Sequence, residues 1–298
     1  MTTPSGILMP MCVQADDIAA MISDSLVEEV ETTPKPGLVD LASSGSHDDL
    51  SVGLFLTSAS ALRPYFKRFV QLGMSHDDPL PLCFPSVRSL GKEAESAMFA
   101  ATHGVNTHKG ALFSLGILAT VTGYAIRRGI PLDADTVCFL AAYMTKDTLD
   151  KEYRLMELRE PSSHGEMVVH RYGRHAGIRE EVRNGFPSVR RYGLPACKQM
   201  PSLSADDARL QILLSLMAHV EDSNVLHRGG PEGLRYVKAT AKGLLSEGGV
   251  GSKDVKKKLE RLDTAFIARN LSCGGSADLL SVTLYLSRLQ QCQHQMKW

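Results

Sequence analysis

The stretch GALFSLGILATVTGYAIRR, residues 110–128, decides the fold. It is apolar almost all round, not along a single stripe, with only Ser, Thr and Gly interrupting it up to Ile126. A helix of that character lies at the centre of a bundle, where neighbours cover every face. The rest of the chain supplies such neighbours. Ile18, Ile22, Leu26 and Val30 step by four and mark one apolar stripe on a first helix. Residues Ser51–Leu72 share that period, with Pro64 expected to kink the helix or split it in two. Val87, Leu90, Ala94, Ala97, Met98 and Ala101 give a further stripe. Helices are also expected over Asp135–Asp150, Asp206–Glu221, Pro231–Ser246, Lys253–Ala268 and Ser276–Gln293. Runs that alternate β-branched and polar residues are nearly absent. The predicted class is all-α: a single-domain multi-helix bundle over residues 1–298, with its site built from Gly/Pro-rich loops at helix ends.

Composition narrows the function. Of 298 residues, 43% are hydrophobic and 22% charged, an ordinary globular balance. Lysines and arginines number 33, as do aspartates and glutamates, so no broad basic surface for nucleic acid is expected. A local basic pocket for a polyphosphate remains compatible with that balance. The six cysteines, at 12, 83, 138, 197, 273 and 292, form no CxxC pair, which points to reduced thiols and neither disulfides nor a cysteine zinc site. Residues 1–13 read as a flexible N-terminus, and MTTPSGILMPMCVQADD lacks the basic and apolar regions of a signal peptide. No stretch reads as a membrane span of roughly 18 to 20 apolar residues. A soluble, cytoplasmic protein is the expectation.

Four loops carry polar groups in suggestive company. TPKPGLVD (33–40) and GSHDDL (45–50) bring Lys35, Asp40, His47 and Asp49 onto a stretch stiffened by two prolines. The pattern also suits a helix stop followed by a polar turn that caps the next helix. GVNTHKG (104–110) places Asn106, His108 and Lys109 at the start of the most apolar helix, where free N–H groups attract phosphate. Asn106 or Thr107 acting only as a cap is the plainer alternative. DSNVLHRGG (222–230) joins Arg228, a forked cation, to Gly229 and Gly230, which allow a close backbone approach to a ligand. A glycine cap after the preceding helix explains the glycines alone. NLSCGGSADLL (270–280) reads as a glycine approach, Gly274 and Gly275, to a helix capped by Ser276. Asp278 there either complements the helix dipole or holds a divalent cation that bridges to phosphate. The segment from Ser163 to Pro187 is rich in ionisable groups and reads as a mobile loop, either closing over a ligand or merely solvated. Lys256, Lys257 and Lys258 read as a solvated helix face.

In this order, TPKPGLVD, GSHDDL, GVNTHKGALFSLG (104–116), GIREE with GFP (177–187), SNVLHRGG (223–230) and NLSCGGSADLL resemble the triphosphoribosyl-dephospho-CoA synthases. That family serves citrate lyase and malonate decarboxylase. Cys273 stands where the family usually has proline, and Arg183 where an acidic residue is common. The resemblance implies an all-helical enzyme that joins ATP to 3′-dephospho-CoA and releases adenine. Its product is the precursor that a separate holo-transferase attaches to the acyl carrier protein of the lyase or decarboxylase.

Such a reaction is substitution at the ribose anomeric carbon with the triphosphate retained, and its transition state resembles an oxocarbenium ion by analogy with glycoside chemistry. It sets three tasks: clamping the triphosphate, activating the 2′-hydroxyl, and protonating or hydrogen-bonding the departing adenine. Lys35, Lys109 and Arg228 are the clamp candidates, with Asn106, Gly229, Gly230, Gly274, Gly275 and Ser276 beside them. Mg²⁺ is expected on some of Asp40, Asp49 and Asp278. Asp49 or Glu95 is the candidate base, and His47 or His108 the candidate acid. A metal-dependent nucleotide phosphohydrolase, suggested by His47-Asp48, would instead release phosphate. A nucleotide-binding assembly factor for a carrier protein would turn nothing over.

Overall fold

The computed structural model describes residues 14–296 except 157, 159, 162, 174, 175 and 199–202. Cys12 and the expected flexible N-terminus lie outside the described residues. Twelve α-helices and no strand occur among the described residues, as the apolar periodicity predicts.

The first is α1 (Ala15–Glu31), opened by a reciprocal cap between Gln14 and Asp17. Next is α2 (Val52–Ser75), with Ser51 accepting from the Leu54 N–H. Pro64 removes one backbone donor from α2 but does not divide it. A short 3₁₀ turn (Leu80–Cys83) leads into α3 (Phe84–Ala101), and α4 (Lys109–Arg128) follows. Two basic residues in the last turn of α4 and Gly129 in the left-handed region end that helix. By length and composition α4 would pass for a membrane span, but 72% of its most apolar stretch is buried inside the bundle. It reaches a span's length, against the sequence expectation, because it is a core helix.

Helix α5 (Ala134–Met156) packs on α4. The segment from Ser163 to Pro187, expected to be a loop, instead holds α6 (His164–Tyr172) and α7 (Ile178–Arg183), and a π-turn (Val189–Gly193) and α8 (Leu194–Lys198) follow it. Their buried Val168, Val182, Phe186 and Val189 join the main core. Helices α9 (Ala205–Met217), α10 (Ser223–Ser246), α11 (Val255–Ile267) and α12 (Gly274–Met296) complete the order, with a 3₁₀ turn (Gly249–Gly251) before α11. Helix α10 starts eight residues earlier than predicted and bends at Gly230, whose φ of 60° and ψ of −165° leave the helical region.

The closest packing lies between α2 and α4, and glycine permits it. A Cβ at Gly73 would stand 1.9 Å from the Thr120 carbonyl oxygen, and one at Gly123 would stand 2.0 Å from that of Val70. Backbones that approach so closely bury the α2-facing side of α4 completely. Helix α12 ties to α4 through Thr122 Oγ1 and Tyr285 Oη, 2.7 Å apart and both buried. One hydrophobic cluster runs through this set from Ala15 to Leu289. The polar loops are thereby gathered at the N-terminal ends of α4, α10 and α12.

Candidate active site

Those helix ends surround a cleft of about 1390 Å³. Six cations line it (Lys35, Arg88, Lys92, Lys109, Arg179 and Arg228), as do six carboxylates: Glu29, Asp48, Asp49, Glu95, Glu166 and Asp278. The loops identified from sequence converge here, although their residues divide between ligand-facing and scaffolding positions.

At one wall Arg228 joins two loops to α10. Its guanidinium donates to the Ser46 carbonyl at 2.7 Å, to Asn270 Oδ1 at 2.8 Å and to His47 Nδ1 at 3.2 Å. With Nδ1 accepting, His47 carries its proton on Nε2, which meets Ser272 Oγ at 2.9 Å. Burial and the adjacent Arg228 hold His47 below the ordinary histidine range, against the raising influence of Asp49 and Asp48. Asp49 itself is exposed to the cleft and makes no ion pair among the described residues.

The cleft floor is a buried ionisable cluster. Lys35, 1% exposed, pairs with Glu29 Oε1 at 2.5 Å and donates to the Glu29 carbonyl. Above it sits His108, whose Nδ1 lies 2.8 Å from Ser58 Oγ. Thr107 Oγ1 donates to that same Ser58 oxygen at 2.7 Å, which leaves the serine hydrogen free to point to Nδ1 and so to hold the imidazole proton on Nε2. His108 Nε2 is buried without a protein partner and belongs to the cleft lining. Burial, helped by Lys35, lowers the His108 pKa to about 3. The ring is therefore neutral at physiological pH and donates a hydrogen bond; the general-acid role expected from sequence does not fit its environment. Replacing His108 with phenylalanine should lower turnover by on the order of 10²-fold. A pH–rate profile should keep the wild-type shape between pH 6 and 9; a lost inflection in that window would contradict the assignment.

Asp278 completes the floor. Its Oδ2 lies so close to Gly110 that a Cβ there would stand 2.0 Å from it. The carboxyl accepts from the Ala111 N–H in the first turn of α4. Burial pushes its pKa well up, and Glu29 and Asp222 add to the push. Among the described residues it makes no ion pair. Helix α12 begins at Gly274, so Asp278 lies beyond the first turn and Ser276 is inside that turn, not its cap.

Ser276 does not line the cleft. Its N–H and hydroxyl donate to Asp222 Oδ2 at 2.8 and 3.0 Å. Asp222 Oδ1 accepts from the N–H groups of Asn224, Val225 and Gly275, so one buried carboxylate caps both α10 and α12. Gly229 and Gly230 also stand off the cleft lining. A Cβ at Gly229 would lie 2.4 Å from Leu271 Cδ2, so that glycine serves helix packing, while Gly230 makes the bend. Asp40 is likewise structural: its two oxygens accept from the Lys35, Ala42 and Ser43 N–H groups, and it is absent from the lining. Asn106, Lys109, Gly274 and Gly275 do line the cleft. Lys109 pairs with Glu95 at 2.7 Å, and Asn106 Oδ1 accepts from the Lys109 N–H at 3.2 Å. Arg183 is held by Asp150 and Glu180 outside the cleft.

Several lining residues carried no sequence signal. Glu29, Arg88 and Lys92 lie on amphipathic helices where a charged residue ordinarily faces water, and Ser272 is one hydroxyl in a loop of small residues. For a metal, no group of three His, Cys, Asp or Glu side chains stands ready among the described residues. The donors that fit a cation are Asp49, exposed and without an ion pair, and Asp278, buried beside negative charge. That set suits Mg²⁺ arriving with a nucleotide, which needs only one or two carboxylates besides phosphate and water.

A sequence model of the family described as ATP:dephospho-CoA triphosphoribosyl transferase matches residues 15–296. The chain belongs to this family. A probable 2-(5″-triphosphoribosyl)-3′-dephosphocoenzyme-A synthase of Pectobacterium carotovorum is 43% identical over 278 residues, covering 92% of this chain and 90% of the relative. A synthase of that name from Pectobacterium atrosepticum is 43% identical over 273 residues, covering 91% and 88%. The Escherichia fergusonii synthase is 40% identical over 277 residues, covering 92% and 91%. No solved structure matches the chain. This triphosphoribosyl transferase thus carries its family's motifs on an all-helical scaffold, and the enzyme class expected from the loop sequences stands.

Proposed function

We propose that this transferase moves the 5-triphosphoribosyl group of ATP to the 2′-hydroxyl of 3′-dephospho-CoA and releases adenine. The observation that carries the reading is the cleft itself, where the family's polar loops meet helix N-termini, cations and a buried carboxyl. In the step, the bond from the acceptor 2′-oxygen to C1′ forms as the C1′–N9 bond breaks. The hydroxyl proton passes to a base, and the departing adenine takes up a proton from its surroundings.

Lys109 and Arg228 suit the triphosphate as the two cations nearest the start of α4 and the glycine loop. Lys35 reaches the floor already paired with Glu29 and adds to the field there without direct phosphate contact. Asp49 is positioned as base because it is exposed to the cleft and makes no ion pair among the described residues, whereas Glu95 is held by Lys109. His108 Nε2–H supplies a hydrogen bond to the leaving base, and His47, held between Arg228 and Ser272, positions the wall beside it. Mg²⁺ would be held by Asp49 or Asp278, where it would neutralise charge on the triphosphate. The base and metal roles compete for Asp49, which leaves Asp278 as the principal metal ligand.

The product would pass to a separate transferase that loads an acyl carrier protein of citrate lyase or malonate decarboxylase. The cytoplasm suits this role, and Cys83, Cys138, Cys197, Cys273 and Cys292 are all free thiols. The experiment that separates this reading from phosphohydrolysis is chromatography of ATP incubated with the enzyme, Mg²⁺ and 3′-dephospho-CoA. Free adenine that depends on the acceptor is expected; phosphate or pyrophosphate release without adenine would overturn the reading.

A further inference from the structure

The cleft extends well past the cluster at the loops. From the Glu95–Lys109 pair it continues between α3 and α4, along a face of α3 formed by Phe84, Val87, Arg88, Gly91 and Lys92. On α4 the facing residues are Leu112, Phe113, Gly116 and Ile117. Phe69 of α2, beside Gly116, and Tyr153 of α5 add to the lining. These spacings put each set on one helical face. Nothing in the chemistry at the anomeric carbon calls for this extension.

We propose that the α3–α4 groove holds the pantetheine arm of 3′-dephospho-CoA, with the pyrophosphate beside Lys92 at its open end. The inference rests on the substrate reading above. Length supports it first. Lys109 to Ile117 spans about 12 Å and Phe84 to Lys92 a similar distance, at 1.5 Å per residue. The arm, about twelve chain atoms long, extends about 14 Å at the spacing of an extended peptide chain. Charge supports it independently. Lys92 is exposed and makes no ion pair among the described residues, so it is available to a phosphate. Arg88, one turn before Lys92 on α3, is neutralised by a fork on Glu152, one contact of which measures 2.5 Å, and lies 4.9 Å from the Phe84 ring centroid. A cation at the mouth and an internally neutral, largely apolar interior match a pyrophosphate followed by an uncharged arm.

Gly91 offers the direct test, because a Cβ there meets nothing within 4 Å. Gly91→Phe should therefore fill the groove while leaving α3 intact, as a melting curve can verify. With this variant KM for 3′-dephospho-CoA should rise about tenfold or more, the loss of roughly two buried methylenes. KM for ATP should stay within about twofold. ADP keeps the 2′-hydroxyl and pyrophosphate but lacks the arm, so its kcat/KM as acceptor should be insensitive to Gly91→Phe and reduced by Lys92→Glu. In the unaltered enzyme, free pantetheine should compete with 3′-dephospho-CoA and not with ATP. The proposal is overturned if Gly91→Phe spares KM for 3′-dephospho-CoA, if it raises both KM values equally, or if pantetheine does not compete. An unaltered enzyme that releases no adenine would overturn the substrate reading itself, whereas turnover indifferent to the arm would overturn the groove alone.

Discussion

Asp222→Ala should cost this fold about 3–5 kcal/mol, the range for breaking a buried, hydrogen-bonded charge site. Four N–H groups and one hydroxyl converge on that carboxylate, drawn from the first turns of α10 and α12. Burial pushes its pKa up, while the donors from Ser276, Val225 and Asn224 pull it down. Four of the five groups are N–H donors, so a carboxyl proton could find an acceptor only in the Ser276 hydroxyl, at the cost of that hydroxyl's own donation. Asp222→Asn should also be damaging, since in either orientation its amide hydrogens would face at least one of these N–H groups. At roughly 2–3 °C per kcal/mol for a chain of this size, thermal melting should move down by about 10 °C. A shift of only a degree or two would show that the helix ends find other partners.

Asp278→Asn should do the reverse: abolish turnover while making the protein more stable. As the proposed metal ligand on the cleft floor, Asp278 should carry about 10³-fold or more of the rate. Its stability effect follows from the upward pKa shift caused by burial and by Glu29 and Asp222. In the unfolded chain an aspartate ionises near 3.9. Above that pH the unfolded state loses its proton and the folded state resists doing so, which lowers stability as pH rises toward the folded pKa. Asparagine removes this penalty and retains a carbonyl oxygen for the Ala111 N–H. Melting curves of the two proteins should therefore coincide near pH 4 and separate in favour of the variant as pH increases. Loss of stability at pH 8, or near-native turnover, would remove Asp278 from its proposed role.

These two aspartates show what was legible in the sequence. The architecture followed from patterns long enough to read: the all-round apolar α4 and the four-step stripe of α1. The short α6, α7 and α8 escaped because five to nine residues hold too few repeats, and Gly173, Gly177 and Pro187 punctuate them. Tertiary burial of Val182 and Phe186 fixes that segment, which local propensity does not reveal. The loops forming the site were legible from their Gly, Asn, Lys and His content, yet the division of labour inside them was not. Asp40 and Asp278 look equivalent in sequence, and only the fold shows that three N–H groups surround the first while the second faces the cleft. Asp222 appeared to be one polar residue among several, because its capping of α12 joins positions more than fifty residues apart. Glu29 lay hidden for the same reason, since its burial depends on Lys35 folding back over α1.

The central claim is that this cleft substitutes at the anomeric carbon of ATP and leaves the phosphates intact. Mass spectrometry of the acceptor after incubation with ATP and Mg²⁺ tests it most directly. The account predicts 3′-dephospho-CoA heavier by one complete triphosphoribosyl group, formed in step with free adenine. An acceptor of unchanged mass, or one carrying only a phosphoryl group, would contradict it.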